Sequence, residues 1–224
     1  MNKKLTLLAS LGAVILTGGS VLAGTPTYDK APQMTQPLPE CGPWFSGISG
    51  GAWWVQDYDV SIPLVFAGDV ELQFETGFGI NITPIGYRLS DTFSLSLETG
   101  YYEAETDGAT IGGVGFPLTD GQLRIAPAVL NANFNFPVSD TISLYLTAGG
   151  GVAYRDLDFQ SGFVFPGATF HDSGWNAIAQ AKAGVSFEVA PCHFLAVGYR
   201  YQHIFSSPDD IQGHSAEVSY TFHW

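Results

Sequence analysis

From Trp44 to Trp224 the chain alternates apolar and polar residues with a period of two. Its closing stretch, HSAEVSYTFHW, shows the pattern. Ala216, Val218, Tyr220, Phe222 and Trp224 share one face, and Glu217, Ser219, Thr221 and His223 share the other. A period of two is that of a strand with unlike faces. Beyond the first residues there is no run of about 18 apolar residues, the length that a membrane-crossing helix needs. The fold must therefore be made of strands.

Eight segments carry the pattern, near 44–58, within 70–89, and at 93–105, 122–136, 142–156, 175–189, 193–205 and 214–224. Alternation is cleanest in the later ones. Ile142, Leu144, Leu146, Ala148, Gly150, Val152 and Tyr154 share a face, as do Leu195, Val197, Tyr199 and Tyr201. The fourth segment breaks phase: Leu123, Ile125 and Val129 are odd, while Leu130, Ala132, Phe134 and Phe136 are even. A β-bulge near Pro127 is expected to reconcile them, because proline cannot donate to a ladder. Short links (SDT, PVSDT, APC) alternate with long ones over 59–69, 106–121, 157–174 and 206–213. An up-and-down barrel with all its short turns at one end and its long loops at the other has this arrangement.

The apolar face of such a barrel points inward in water and outward in a membrane. The polar faces carry Glu75, Glu98, Arg155, Lys182, Arg200 and Glu217, a mixed-sign set that can pair inside an eight-stranded barrel. Aromatics gather at both ends of the segments. Trp54, Tyr58, Tyr101, Tyr154, Trp175 and Phe205 lie near the long links, and Trp44, Phe93, Phe136, Phe194, Phe222 and Trp224 near the short ones. Two such girdles favour the membrane reading over a secreted soluble β-protein. The expected fold class is all-β: an eight-stranded antiparallel up-and-down transmembrane β-barrel over residues 44–224.

The first 23 residues read as a secretory signal peptide: Lys3 and Lys4, an apolar run from Leu5 to Leu16, then Val21-Leu22-Ala23. Residues 24–43, with five prolines, read as an extended periplasmic linker. Two of the eight Lys+Arg lie in the leader, leaving six against 21 Asp+Glu. So few cations exclude nucleic acid as a partner, and they exclude docking on a membrane through a polybasic patch.

The closing strand resembles the C-terminal β-signal of bacterial outer-membrane barrels, matching at Val218, Tyr220, Phe222 and Trp224, although the family usually ends in Phe. WFSGISGGAWW resembles the first strand of the small OmpA-type and OmpX/Opa-type barrels. The resemblance implies residence in the outer membrane as a monomer, surrounded by lipid and lipopolysaccharide. It also implies delivery by the barrel-assembly machinery and loops free to meet a surface ligand. The peptidoglycan-binding domain of full-length OmpA proteins has no counterpart in this reading.

Candidate sites follow from the barrel. Cys41 precedes the first strand and Cys192 lies in a short turn, so both face an oxidising periplasm. The first and seventh strands both flank the eighth, so the two ends are about 10 Å apart, and a Cys41–Cys192 disulfide is expected. Glu75, Glu98, Arg155, Lys182, Arg200 and Glu217 form either a static plug or the lining of a narrow ion path; eight strands favour the plug. The histidines are His171, His193, His203, His214 and His223. In GHSAE, Ser215 is read as pointing opposite to both His214 and Glu217. The H-x-S arrangement of the lipid A deacylases is absent, so no catalytic residue is assigned. No cofactor or metal site is assigned either. DYD at 57–59 and DLD at 156–158 are too short to specify a cation, although an acidic rim bridged to lipopolysaccharide phosphates by divalent ions is one reading. The 157–174 link is expected to pair as a hairpin extending the barrel above the membrane, offering an edge to a protein.

The leading functional expectation is a non-catalytic membrane anchor that presents surface loops for adhesion or envelope integrity. A narrow channel for ions or small solutes is the alternative, and a lipid-modifying enzyme the remote one.

Overall fold

The computed structural model describes residues 41–56, 58–60, 70–111, 114–117, 119–161, 168–206 and 210–224. The proposed signal peptide and most of the Pro-rich linker lie outside the described residues, as do the tips of the long links. Among the described residues the strands are β1 (Trp44–Val55), β2 (Tyr58–Val60), β3 (Val70–Phe74), β4 (Gly77–Arg88), β5 (Phe93–Ile111), β6 (Val114–Pro117), β7 (Thr119–Pro137), β8 (Ile142–Ser161), β9 (Ala168–Ala190), β10 (His193–Phe205) and β11 (Ile211–His223). Eight of them form an antiparallel ring in the order β1-β4-β5-β7-β8-β9-β10-β11. The ring closes where β11 returns to β1, from Phe45↔His223 to Val55↔Gly213.

Local chemistry sets the short turns. Two of them carry the same Ser-Asp-Thr, and each serine side chain holds its turn alike. Ser90 Oγ accepts the Phe93 N–H at 3.1 Å, and Ser139 Oγ accepts the Ile142 N–H at 3.2 Å. Such side-chain acceptors are why Ser and Asp favour turns. The third turn, between β9 and β10, has Cys192 at φ 66°.

At the other end the structure corrects one long link, 106–121, expected as a loop, and bears out another, 157–174, expected as a hairpin. Much of 106–121 and 157–174 is strand. β8 and β9 pair as far as Ser161↔Ala168, the expected hairpin above the barrel. The segment expected over 70–89 is broken at Glu75–Thr76. Below the break β4 pairs with β1 and β5; above it, among the described residues, β3 pairs only with the outer part of β5 and with β2. β6 covers the opposite edge of outer β5.

The bulge expected at Pro127 is not there. β7 holds one register against β8 from Gln122 to Pro137. Against β5 the same register runs on either side of Pro127, through Thr99↔Ala128 and Tyr102↔Ile125. The missing N–H costs a rung and leaves the phase intact. A register shift lies instead between Ile82 and Ile85, around Pro84. There the lipid-side phase switches from Ile80 and Ile82 to Ile85 and Tyr87.

The apolar faces point outward. Ile48, Leu97, Leu130, Leu144, Val197 and Val218 are all exposed on the outer wall. So continuous an apolar belt is a liability in water and what a lipid-embedded barrel requires. Trp54, Tyr154 and Trp175 cap it at the long-link end, and Trp44, Phe136 and Trp224 at the short-turn end. Phe194, expected in the second girdle, instead faces inward against His223, ring centroids 5.2 Å apart.

Candidate functional site

The interior is built in layers. At mid-height Arg200 is fully buried between two carboxylates. Its Nε and Nη2 donate to Glu217 Oε2 at 3.0 and 2.8 Å, and its Nη1 donates to Glu98 Oε1 at 2.5 Å. Lys182 Nζ donates to Glu98 Oε2 at 2.6 Å. Gln180 donates to Glu98 and to Asn131, at 3.0 and 2.8 Å, and accepts from Arg200 at 3.0 Å. Two acids and two bases from four strands thus form one neutral cluster, in which each charge has an opposite partner, as burial demands. The Tyr102 ring lies against the guanidinium, with Cζ 5.9 Å from its centroid.

Towards the long-link end the cluster is covered by an apolar layer. Trp53, Tyr102, Leu123, Ile125, Val129, Leu157, Ile178, Ile204 and Ile211 are buried there in one cluster. This accounts for the phase problem in the fourth segment. Leu123, Ile125 and Val129 face the lumen, while Leu130, Phe134 and Phe136 face outward. Towards the short-turn end lies a cavity of about 270 Å³, lined by hydroxyl and amide side chains such as Ser96, Asn133, Thr147 and Thr221, with Glu98 and Lys182 also lining it.

Four of the six expected lumen charges therefore meet: Glu98, Lys182, Arg200 and Glu217. Arg155 also faces the lumen, on the same side of β8 as Ala153 and Leu157, but nearer the long-link end, where its Nη2 donates to Asp172 Oδ2 at 2.5 Å instead of joining the cluster. Glu75 is not a lumen residue. It is exposed at the break between β3 and β4, its N–H donating to the Glu105 carbonyl at 2.9 Å. Gln180 and Asn131 complete the cluster and carried no signal as uncharged residues of a polar face. The apolar layer did carry one, a strand apolar on both faces towards one end.

Cys41 and Cys192 are bonded, with Cα atoms 5.3 Å apart. Val218, Tyr220, Phe222 and Trp224 all lie on the outer face of the last strand and its end. Ser215 and Glu217, two residues apart, share the lumen side, and only His214 points outward; the reading that opposed Ser215 to Glu217 is corrected. His214 stacks near Trp54, ring centroids 6.1 Å apart, and its Nε2 accepts from the Gln56 side-chain amide N–H at 3.0 Å. His203 pairs with Asp210 at 3.0 Å and His193 meets the Tyr220 hydroxyl at 2.5 Å. On the outer face of the hairpin, Asp156, Asp158 and His171 bring their ligand atoms within 4.8 Å of one another. A divalent cation can use that donor set, but Arg124 lies 4.0 and 3.9 Å from the two carboxylates and already offsets their charge.

The family model of the outer membrane protein beta-barrel domain matches residues 45–223. The chain belongs to that family. The short-turn end is accordingly periplasmic, the long-link end faces outside, and the localisation is the bacterial outer membrane. No curated protein matches the chain in sequence. Among solved structures, Neisserial surface protein A (NspA) is similar, at 15% identity and a TM-score of 0.55, covering 81% of this chain and 97% of that one. OprG from Pseudomonas aeruginosa is similar at 16% identity and a TM-score of 0.52, covering 82% and 98%. At such identities the likeness is one of fold.

Proposed function

We propose that this barrel is a non-catalytic outer-membrane anchor that presents its extracellular sheet to a surface ligand, and that its lumen does not conduct. The observation carrying the reading is the double closure of the interior, a neutral charge cluster under an apolar layer. An ion crossing it would have to displace Arg200 from two carboxylates and then pass Trp53 and its neighbours without a polar partner. The material above the membrane supports the second half of the reading. The β8–β9 hairpin rises beyond the girdle residues Tyr154 and Trp175, and among the described residues β9 has no partner but β8 from Ala168 to Asn176. A strand edge of that kind offers unpaired N–H and C=O groups to another chain. In this reading the protein acts as a monomer in lipid and lipopolysaccharide, inserted through its last strand by the barrel-assembly machinery.

Two assays test the proposal. Vesicles carrying the refolded barrel should not swell in isotonic small sugars; swelling would favour the channel reading. Cells bearing a barrel with the hairpin trimmed between Leu157 and Asp172 should keep the protein in the outer membrane and lose adherence to surfaces that hold the intact strain. Equal adherence would remove the presentation role.

A further inference from the structure

Neighbouring strands of the ring are joined in sequence, by short turns at the periplasmic end or long links outside. The exception is the seam between β1 and β11, the first and last strands, which no stretch of chain connects. We propose that the Cys41–Cys192 disulfide is a lock on this seam, the covalent link at the periplasmic end that the chain does not supply.

Three features at that end are built around the bond. First, Cys41 belongs to the approach to β1 while Cys192 opens β10, and β11 lies between them. The bond therefore spans the periplasmic end of β11. Two strand spacings are about 10 Å, yet the two Cα atoms are 5.3 Å apart, so the Cys41-Gly42-Pro43 segment turns in beneath β11. Second, Gly42 passes directly across the chain end. A Cβ there would sit 2.2 Å from the Trp224 carbonyl oxygen, so a side chain would push the strap off the strand. Third, Cys192 occupies a left-handed turn conformation, φ 66°, where glycine or asparagine is the easier residue.

Hydrogen bonds seat the strap on both sides of the seam. Arg88 at the end of β4 donates to the Cys41 carbonyl through Nη2 and to the Pro43 carbonyl through its N–H, both at 2.7 Å. The Trp224 N–H donates to the Trp44 carbonyl, and the His223 N–H to the Cys192 carbonyl, each at 2.9 Å. With the bond formed, β1 cannot part from β11 at this end without carrying β10 with it. With the bond reduced, the periplasmic end of the seam is held by its ladder, by these hydrogen bonds and by the Trp44–Trp224 and Phe45–His223 ring contacts, and it opens more readily than with the bond in place.

The lock is set by thiol–disulfide exchange. One cysteine thiolate attacks the disulfide of a periplasmic dithiol oxidoreductase, giving a mixed disulfide. The second cysteine then attacks this chain's own sulfur in the mixed disulfide, forming the Cys41–Cys192 bond and expelling the oxidoreductase's thiolate. Two protons and two electrons leave this chain, and the oxidoreductase departs as its dithiol.

Residue-resolved hydrogen exchange on the folded barrel in bicelles, before and after reduction in place, tests the proposal. The expected result is at least tenfold faster exchange at the periplasmic half of the seam, Phe45–Ser49 and Ser219–His223, with β8–β9 amides around Ala148 unchanged. Cys41→Ser/Cys192→Ser should reproduce the reduced pattern, and reduction of the wild-type barrel remains readable if that variant does not refold. Unchanged seam exchange, or an equal rise in every strand, would overturn the lock.

Discussion

Replacing Arg200 with methionine tests whether the lumen charges form a dry, mutually dependent cluster. Arg200→Met keeps much of the side-chain volume and removes the charge. Lys182 stays 2.6 Å from Glu98, so Glu98 keeps a partner. Glu217 does not, because its ion pair runs to Arg200 alone among the described residues. A buried carboxylate stranded in this way costs about 3–5 kcal/mol. Adding Glu217→Gln restores neutrality, with one acid facing one base, and the double variant should lie within about 1–2 kcal/mol of wild type, the cost of imperfect hydrogen bonding. Urea titration of the barrel refolded in thin vesicles, followed by tryptophan fluorescence and extrapolated linearly, reads both numbers. If Arg200→Met loses less than about 1 kcal/mol, or the double variant is no better than the single one, the charges are solvated by lumen water and the dry cluster is wrong.

Trp53→Ala removes the largest member of the apolar layer; it should cost about 3–5 kcal/mol by the same titration. Leu130→Lys places a charge on the outer wall midway between the girdles, at a side chain 60% exposed. It should cost about 2–4 kcal/mol in lipid, whereas a near-neutral result would mean that this face meets water. Asp158 hydrogen-bonds the His171 imidazole at 2.6 Å and holds its pKa above the ordinary histidine value. Because the folded value exceeds the unfolded one, this pair contributes below the ordinary pKa and is lost as pH rises through the folded one; an NMR titration should show His171 titrating high and returning towards normal in Asp158→Asn.

Most of the wall was legible because a period of two leaves one choice once the inside is known. Leu144, Leu146 and Val152 on one strand and Val218, Tyr220 and Phe222 on another all face outward as the alternation requires. The disulfide followed from strand adjacency together with an oxidising compartment. What misled was proline. Pro127 looked like the bulge and was not, because a strand apolar on both faces can be a wall outside and a plug inside. Pro84, where the register does shift, lies in a segment whose phase drew no notice. Glu75 alternates in phase with a strand that breaks beside it, and Arg155 faces the lumen nearer the long-link end, where Asp172 from the paired β9 reaches it first. Pair choices of this kind depend on height along the barrel, which a face pattern does not encode. The 157–174 link reads as a hairpin, and β8 and β9 do pair through it to Ser161↔Ala168, whereas the strand within 106–121 reads only as a link between segments.

Single-channel recording of the refolded chain, residues 24–224, in a planar bilayer tests the closed lumen most directly. A folded and electrically silent barrel is expected, with conductance emerging only when both closures are opened, by Trp53→Ala together with Arg200→Ala. Steady wild-type conductance that changes when Arg200 or Glu98 is neutralised would contradict it, and would make the charge cluster the lining of a pore.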